Sequence, residues 1–519
     1  MTYTPDKKRA FQVKNQNIPK ILRQRERRIA RRLDPRKTTA TSEPVLKGKN
    51  IRYEMSERAG GITSGGIGAI HVMVQNIGLT NDIDQRLQLL KVHLPYHESD
   101  HVLSIAYNIL AGGVRLEDLE LRRQDENFLN AFDVQRLPDP TTAGDFTRRF
   151  NPTDILGLME AINASRQRIW SVQPKGFLEE AFIDVDGTIA GTLGECKEGM
   201  DISYKGIWGY SPLIVSLANT KEVLYLVNRP GNAASHQDSP EWIDRAIALV
   251  KPHAGRITLR GDTDFTNSAH LDRWNDQEVR FIVGMDAHPK AVAVADALPK
   301  SAWKRLERLP KYEITTETRT RPDNVKERIV RERGYRNIVL KCEDIAEVEY
   351  RPGKCQRSYR MIVVRKNLSV EAGEDVLFDE IRYFFYLTNR TDLDTAEVVG
   401  LANGRCDQEN VIAQLKSGVN AMRMPVNDLN SNWAYMVMAA LAWNLKAWFA
   451  LLVPDRDSGL KLLRMEFRSF LGAVIAIPAQ IARTARRLMY RFLGYTPWLK
   501  DFFATFDRIR GMKFEWHTG

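Results

Sequence analysis

The period of apolar and polar positions changes several times along this chain, and each change marks an element. Between 71 and 150, Val102, Ile105, Ala106, Ile109 and Leu110 recur at helical spacing. Leu116, Leu119 and Leu121 follow, then Phe128, Leu129 and Phe132. This predicts a compact all-helical region closed by Pro138 and Pro140, with Thr141, Thr142 or Asp145 as caps for the next helix. From 179 to 290 strands and helices alternate. AFIDVDG (181–187), GYSPLIVSLAN (209–219) and EVLYLVNRPG (222–231) read as strands. PEWIDRAIALV (240–250) reads as an amphipathic helix with proline in its first turn. Arg256 to Gly261 is a strand leading into Asp262-Thr263-Asp264-Phe265, followed by a helix through Trp274 and the strand Val279 to Val283.

Residues 291–380 change to alternating stretches with charged faces, such as Tyr312 to Ile314, Asn337 to Leu340 and Arg360 to Val364. They predict a β-rich insertion, after which IRYFFYLT (381–388) resumes the core. GRCDQENVIAQLK (404–416) is helical, with Arg405, Glu409, Ile412 and Lys416 on one face and Ser417-Gly418 as the stop. Beyond 432 the pattern is helical almost to the end, including the basic segment RTARRLMYR (483–491). Residues 1–60 read as weakly ordered, with ILRQRERRIARRL (21–33) able to become a helix on a phosphate surface, and GGITSGGIG (60–68) as a flexible joint.

Composition places the chain among ordinary globular proteins: 519 residues, 43% hydrophobic and 27% charged, enough for two to four domains. The distribution of charge changes the picture more than its sum of +11. Residues 1–37 carry thirteen Lys and Arg against Asp6, Glu26 and Asp34, a balance of +10; residues 455–519 carry +6, so the middle is acidic at −5. Basic ends around an acidic middle suit a protein that grips a polyanion and does metal chemistry between its grips. Cys196, Cys342, Cys355 and Cys406 are dispersed without a CxxC pair, which argues against a zinc knuckle or disulfide framework and fits a reducing cytoplasm. No secretory leader is expected from the polar N-terminus. The apolar run Trp433 to Val453 contains Asn444 and Lys446 and reads as a buried helix rather than a membrane span.

Candidate chemistry centres on acids. Asp184 and Asp186 stand two apart in an apolar strand, hence on one face, where two like charges call for compensation such as a divalent cation. A solvent-facing strand end with an Asp-Gly turn is the plainer alternative. Asp262 follows a later strand and Glu409 lies on a helix, where it could equally belong to a surface ion-pair ladder with Arg405 and Lys416. His93, His97 and His101 recur every four residues, but Pro95 interrupts them and no carboxylate signature accompanies them, so they are not read as a metal site. Trp433, Trp443 and Trp448 sit in an apolar setting that favours core packing over base stacking.

Taken in order, YNILAGGVRLEDLE (107–120), IDVDGTIAG (183–191), YSPLIVSLA (210–218), NRPGNAAS (228–235), LRGDTDF (259–265), FIVGMD (281–286) and GRCDQENVIAQLKSG (404–418), continuing into NWAYMVMAALAWNLKAW (432–448), resemble a known family. They look like a DDE-type bacterial insertion-sequence transposase of the ribonuclease H-like superfamily, closest to the insertion-sequence thirteen-eighty family. The resemblance implies catalytic Asp186, Asp262 and Glu409 as metal ligands, with Asp184 as the fallback first carboxylate. Such sites use two Mg²⁺ about 3.5–4 Å apart to activate water and then a DNA 3′-hydroxyl, with Mn²⁺ as a substitute. Arg405 and Glu409 match the Tyr-Arg-Glu signature, whose Tyr position is Ala402 here, and Lys416 matches a Lys two turns after the Glu; Arg405 and Lys416 are the implied DNA contacts.

The implied fold is multidomain α/β, a ribonuclease H-like core interrupted by a β-rich insertion, with helical N-terminal and C-terminal regions. The expected division begins with a basic arm (1–60), a helical DNA-end-binding domain (61–150) and the first segment of the core (175–290). The insertion (291–380), the second core segment with the Glu helix (381–453) and a basic helical C-terminal region (454–519) follow. The implied activity is cut-and-paste transposition in the bacterial cytoplasm, at the nucleoid. A homodimer would hold double-stranded terminal inverted repeats and target DNA in a synaptic complex, without a membrane. Arg23, Arg27, Arg28, Arg31 and Arg32 are the expected phosphate contacts of the arm. The competing readings are a ribonuclease H-like nuclease without strand transfer and a non-catalytic regulator derived from a transposase.

Overall fold

The computed structural model describes residues 18–34, 60–93, 95–308, 325–373, 375–484, 487–512 and 514. Two compact units are distinguished within them. One is drawn from residues up to 173, from 192–200 and from 413 onward; the other from 174–191 and 201–412.

The second unit is built on a nine-stranded sheet. Its strands are β1 (Leu178–Gly187), β2 (Leu213–Leu217), β3 (Glu222–Val227), β4 (Ala254–Gly261), β5 (Arg280–Met285), β6 (Lys304–Arg305), β7 (Arg336–Tyr350), β8 (Tyr359–Ala372) and β9 (Asp375–Thr388). Their order across the sheet is β6-β7-β8-β9-β5-β4-β1-β2-β3. β1, β2 and β3 are an antiparallel meander, β4 runs parallel to β1, and β5 parallel to β4. Every position of β2 and β3 is buried, as their near-continuous apolar sequence requires of strands covered on both faces. The helix Ser239–Val250 supplies cover over β1 and β2, burying Trp242, Ile243, Ala246, Ile247 and Val250 along one stripe.

The insertion departs from its expected form in two respects. It contains a helix, Val325–Glu332, and its last strand starts at Asp375 rather than at 381. β9 is long enough to serve both insertion and core: its whole length pairs with β8, while only Phe385 to Thr388 pair with β5. The insertion therefore continues the core sheet, and a boundary at 380 falls inside one strand. Tyr312 to Ile314 lie outside the described residues. After β9, the helices Thr395–Gly404 and Cys406–Ala413 return to the core. Val398 and Val399 of the first are buried with Ile282, Ile345, Ile362 and Val364, each such side chain contributing about 1.5–3 kcal/mol.

The first unit is mainly helical. Ile67–Asn76, Glu98–Leu110 and Pro152–Ser171 pack against the 23-residue helix Leu429–Leu451, and Leu79–Arg86 packs on Pro152–Ser171. That helix is long and apolar enough to cross a membrane, yet 94% of its most apolar window is buried within the protein. Trp433, Trp443 and Trp448 are all buried in it. Lys446 is accommodated because its Nζ donates to the Leu463 carbonyl at 2.8 Å and lies 4.0 Å from the Trp443 ring centroid.

Two expectations fail here. The C-terminal region is not helical throughout: Ala479–Thr484 and Arg487–Phe492 form an antiparallel hairpin, and Gly61–Ile62 adds a third strand to it. The described residues of the basic segment, 483–484 and 487–491, thus lie in paired strands, since Pro478 cannot continue a helix and the pairing with residues 61–62 overrides local periodicity. For the same reason GGITSGGIG is not a flexible joint. Ile62, Ser64, Gly65, Gly66 and Ile67 are buried, and a Cβ on Gly66 would stand 1.8 Å from the Val474 carbonyl oxygen. These glycines permit close backbone approach.

The arginine-rich stretch forms the helix Ile18–Leu33. Arg25 anchors it by donating to the carbonyls of Gly494 at 2.7 Å and Phe492 at 3.2 Å, while Arg23, Arg27, Arg28, Arg31 and Arg32 are exposed.

Candidate active site

The two aspartates of β1 have different surroundings, although both belong to one face of the strand. Asp184 is fully buried, and Arg260, its register partner on parallel β4, grips it with both arms: Nε to Oδ1 at 2.6 Å and Nη2 to Oδ2 at 2.8 Å. Burial pushes the Asp184 carboxyl up and the Arg260 guanidinium opposes that shift. Arg260 also donates to the Leu401 carbonyl at 3.0 Å and stacks over Phe182 at 4.9 Å. Gln408, buried on the helix Cys406–Ala413, donates to the carbonyls of Asp184 and Ile214, each at 3.1 Å. Asp184 is thereby committed to holding two strands and a helix together.

Asp186 stands at the open end of the strand. Its Oδ2 lies 2.9 Å from Nη1 of Arg405, and it is only partly buried. Burial pushes its carboxyl up to about 6; Arg405 opposes the shift and the charge of Asp262 adds to it. Asp262 directly follows β4 and caps a short 3-10 turn, accepting from the Asp264 amide at 3.1 Å. Its carboxyl is also raised, by burial first and then by Asp264 and Asp286, against Arg405. Burial would lower the Arg405 guanidinium, but the charges of Asp186, Asp262 and Asp184 outweigh it. Asp186, Asp262 and Arg405 therefore form one electrostatic group at the strand ends.

Glu409 is exposed on its helix, one turn after Arg405. Neighbouring Asp407 pairs with Lys221 at 2.8 Å, and Gln408 faces the sheet as described. Asp186, Asp262 and Glu409 are not gathered into one compact ligand set. Among the described residues, only His93, His97 and Glu98 bring three candidate ligand atoms within 4.8 Å of one another. Lys416 is exposed on the π-helical turn Gln414–Gly418. Ala402, at the expected Tyr position, packs against the cluster around Val398 and Val399.

Arg260 and Gln408 were not singled out from the sequence. The signal for Arg260 is its parallel pairing with Asp184, a long-range feature; the signal for Gln408 is that it shares the buried side of its helix with Val411 and Ile412.

The donor set of Asp186 and Asp262 fits a hard divalent cation. It offers carboxylate oxygens only; burial raises both acids, with Asp262 adding to the shift of Asp186 and Asp264 and Asp286 to that of Asp262, a cost of ionisation that added positive charge relieves. Arg405 supplies some of that charge in the protein alone.

Residues 44–514 match the model of the family described as transposase DDE domain group 1. Among solved structures, a cryo-EM structure of a piggyBac transposase synaptic complex with hairpin DNA is similar at 12% sequence identity and a TM-score of 0.36. The match covers 80% of this chain and 84% of that one. No curated protein sequence matches the chain.

Proposed function

Because the chain belongs to the transposase DDE domain group 1 family, we propose that it carries out metal-dependent cut-and-paste transposition of the insertion-sequence thirteen-eighty type. In this reading it binds terminal inverted repeats as a homodimer, nicks each end by hydrolysis and joins the freed 3′-hydroxyls to target DNA. The observation that carries the reading is the group at the strand ends: Asp186 and Asp262, both with raised carboxyls, facing the guanidinium of Arg405. The strand order β3-β2-β1-β4-β5, with only β2 antiparallel to its neighbours' common direction, supports a ribonuclease H-like core.

Asp186 and Asp262 would hold Mg²⁺, with Glu409 completing the set from its helix; Asp184, engaged by Arg260, is assigned to the scaffold instead. A bound divalent ion supplies Lewis-acid stabilisation of phosphoryl charge and a more acidic water. The chain's own residues do the rest. Arg405, one turn from Glu409, orients Asp186 and offers a guanidinium fork to a phosphate. Lys416 and the exposed arginines of Ile18–Leu33 contribute phosphate contacts without base reading.

The test is incubation of the full chain with linear DNA bearing the element's own end and Mg²⁺. Nicked and then joined products are the expected outcome. Binding of the end without any cutting would favour the regulator reading, and cutting without joining the nuclease reading.

A further inference from the structure

We propose that His93, His97 and Glu98 form a binding site for a divalent transition metal of the zinc type, distinct in chemistry from the strand-end aspartates. The four-residue spacing of His93, His97 and His101 would serve a helix, but Pro95 prevents one, and the helix begins only at Glu98. The result is a different grouping from the one the spacing suggests. His101 turns inward, buried and stacked on Phe146 with ring centroids 4.3 Å apart. The His93 and His97 rings lie together instead, stacked at 4.6 Å and within 8° of parallel.

Glu98 provides the third ligand. Its side chain is 1% exposed, its Oε2 lies 3.1 Å from His93 Nε2, and its Oε1 accepts from the amides of Leu89 at 2.9 Å and Leu90 at 3.0 Å. The two backbone donors hold the carboxylate oriented before any ion arrives. The His97 backbone is fixed too, its amide donating to Asp100 at 2.9 Å. The candidate ligand atoms of all three residues lie within 4.8 Å of one another. Tetrahedral zinc with bonds near 2.1 Å separates its ligands by about 3.4 Å, so a modest rotation of the exposed imidazoles closes the set.

Two imidazole nitrogens and one carboxylate oxygen suit zinc, cobalt or nickel over magnesium, and leave a fourth position for water. On binding, the His93 Nε2 lone pair goes to the metal, and any proton it shared with Glu98 leaves to solvent. The ion would tie His93 and His97 to the start of the helix Glu98–Leu110.

The experiment uses the full chain in excess Mg²⁺, which saturates hard oxygen sites, titrated with Co²⁺ as a coloured probe and then with Zn²⁺. The wild type is expected to bind one equivalent with tetrahedral visible absorption that Zn²⁺ displaces. His93→Gln/His97→Gln is expected to lose that equivalent while keeping its far-ultraviolet dichroism, and Asp186→Asn is expected to retain it. Equal stoichiometry in the wild type and the double histidine variant overturns the proposal. Should the double variant fail to fold, zinc-edge X-ray absorption of the wild type decides: two imidazole ligands support the site, and fewer than two overturn it.

Discussion

Nη1 of Arg405 lies 2.9 Å from Oδ2 of Asp186, and the same guanidinium is charge-coupled to Asp262, an acid from a different strand. One side chain immediately before the Glu409 helix thus offsets the charge of two strand-end carboxylates in the protein alone. A cation that competes for the same oxygens should bind more tightly once it is removed. Arg405→Gln is therefore expected to bind Mn²⁺ at least roughly threefold tighter, by titration calorimetry. DNA cleavage by the same variant is expected to fall by about 100-fold or more, because the fork to which a phosphate contact is assigned would be lost. Weaker Mn²⁺ binding would contradict the role given to Arg405.

Asp186 should make stability depend on pH in a definite direction. Its carboxyl is raised from 3.8 to about 6, so the folded state holds its proton more tightly than the unfolded chain does. The stabilisation from this group is full below pH 3.8 and is lost as the pH rises through about 6. Asp186→Asn cannot ionise and escapes the loss. In chelator it should be more stable than the wild type above pH 6, by about 2–3 kcal/mol, with the gap closing towards pH 4. Denaturant titrations at both pH values measure it, and a gap that does not change with pH would refute the assignment.

Asp184 should behave oppositely, despite lying only two residues away. Removing one partner of its buried pair with Arg260 leaves a charge without compensation. Asp184→Ala is expected to lower stability by about 3–5 kcal/mol at neutral pH. If Asp184→Ala were stable but unable to bind Mn²⁺, Asp184 would be a ligand rather than scaffold.

The exposed arginines of Ile18–Leu33 should act on DNA without regard to sequence. Replacing Arg23, Arg27, Arg28, Arg31 and Arg32 by Ala is expected to weaken binding to specific and random duplexes alike. The slope of log affinity against log salt should shrink by about 0.9 for each phosphate that is no longer neutralised. An unaltered slope would show that this helix does not touch the backbone.

The core strands and the helix Ser239–Val250 were legible in the sequence because their hydrophobic period is local and their ends carry proline, glycine or aspartate. The acids at the ends of β1 and β4 were legible for the same reason. What local pattern could not convey was pairing across distance. The hairpin at 479–492 depends on residues 61–62, and the glycines that resembled a joint are spacers for that pairing. Arg260 is ordinary until β4 lies parallel to β1, which sets it opposite Asp184. The nearness of Glu98 to His93 was not legible either, because it depends on where the helix Glu98–Leu110 begins rather than on the four-residue spacing of the histidines.

The most direct measurement compares nicking and strand joining of the element's own end, in Mg²⁺, by the wild type, Asp186→Asn, Asp262→Asn and Glu409→Gln. Binding to the same DNA is measured for each. The predicted result is unchanged binding with both reactions lost in all three variants, a fall of roughly 1,000-fold or more. Glu409→Gln cutting as fast as the wild type would remove Glu409 from the site, and cutting by all three variants would contradict the account at its centre.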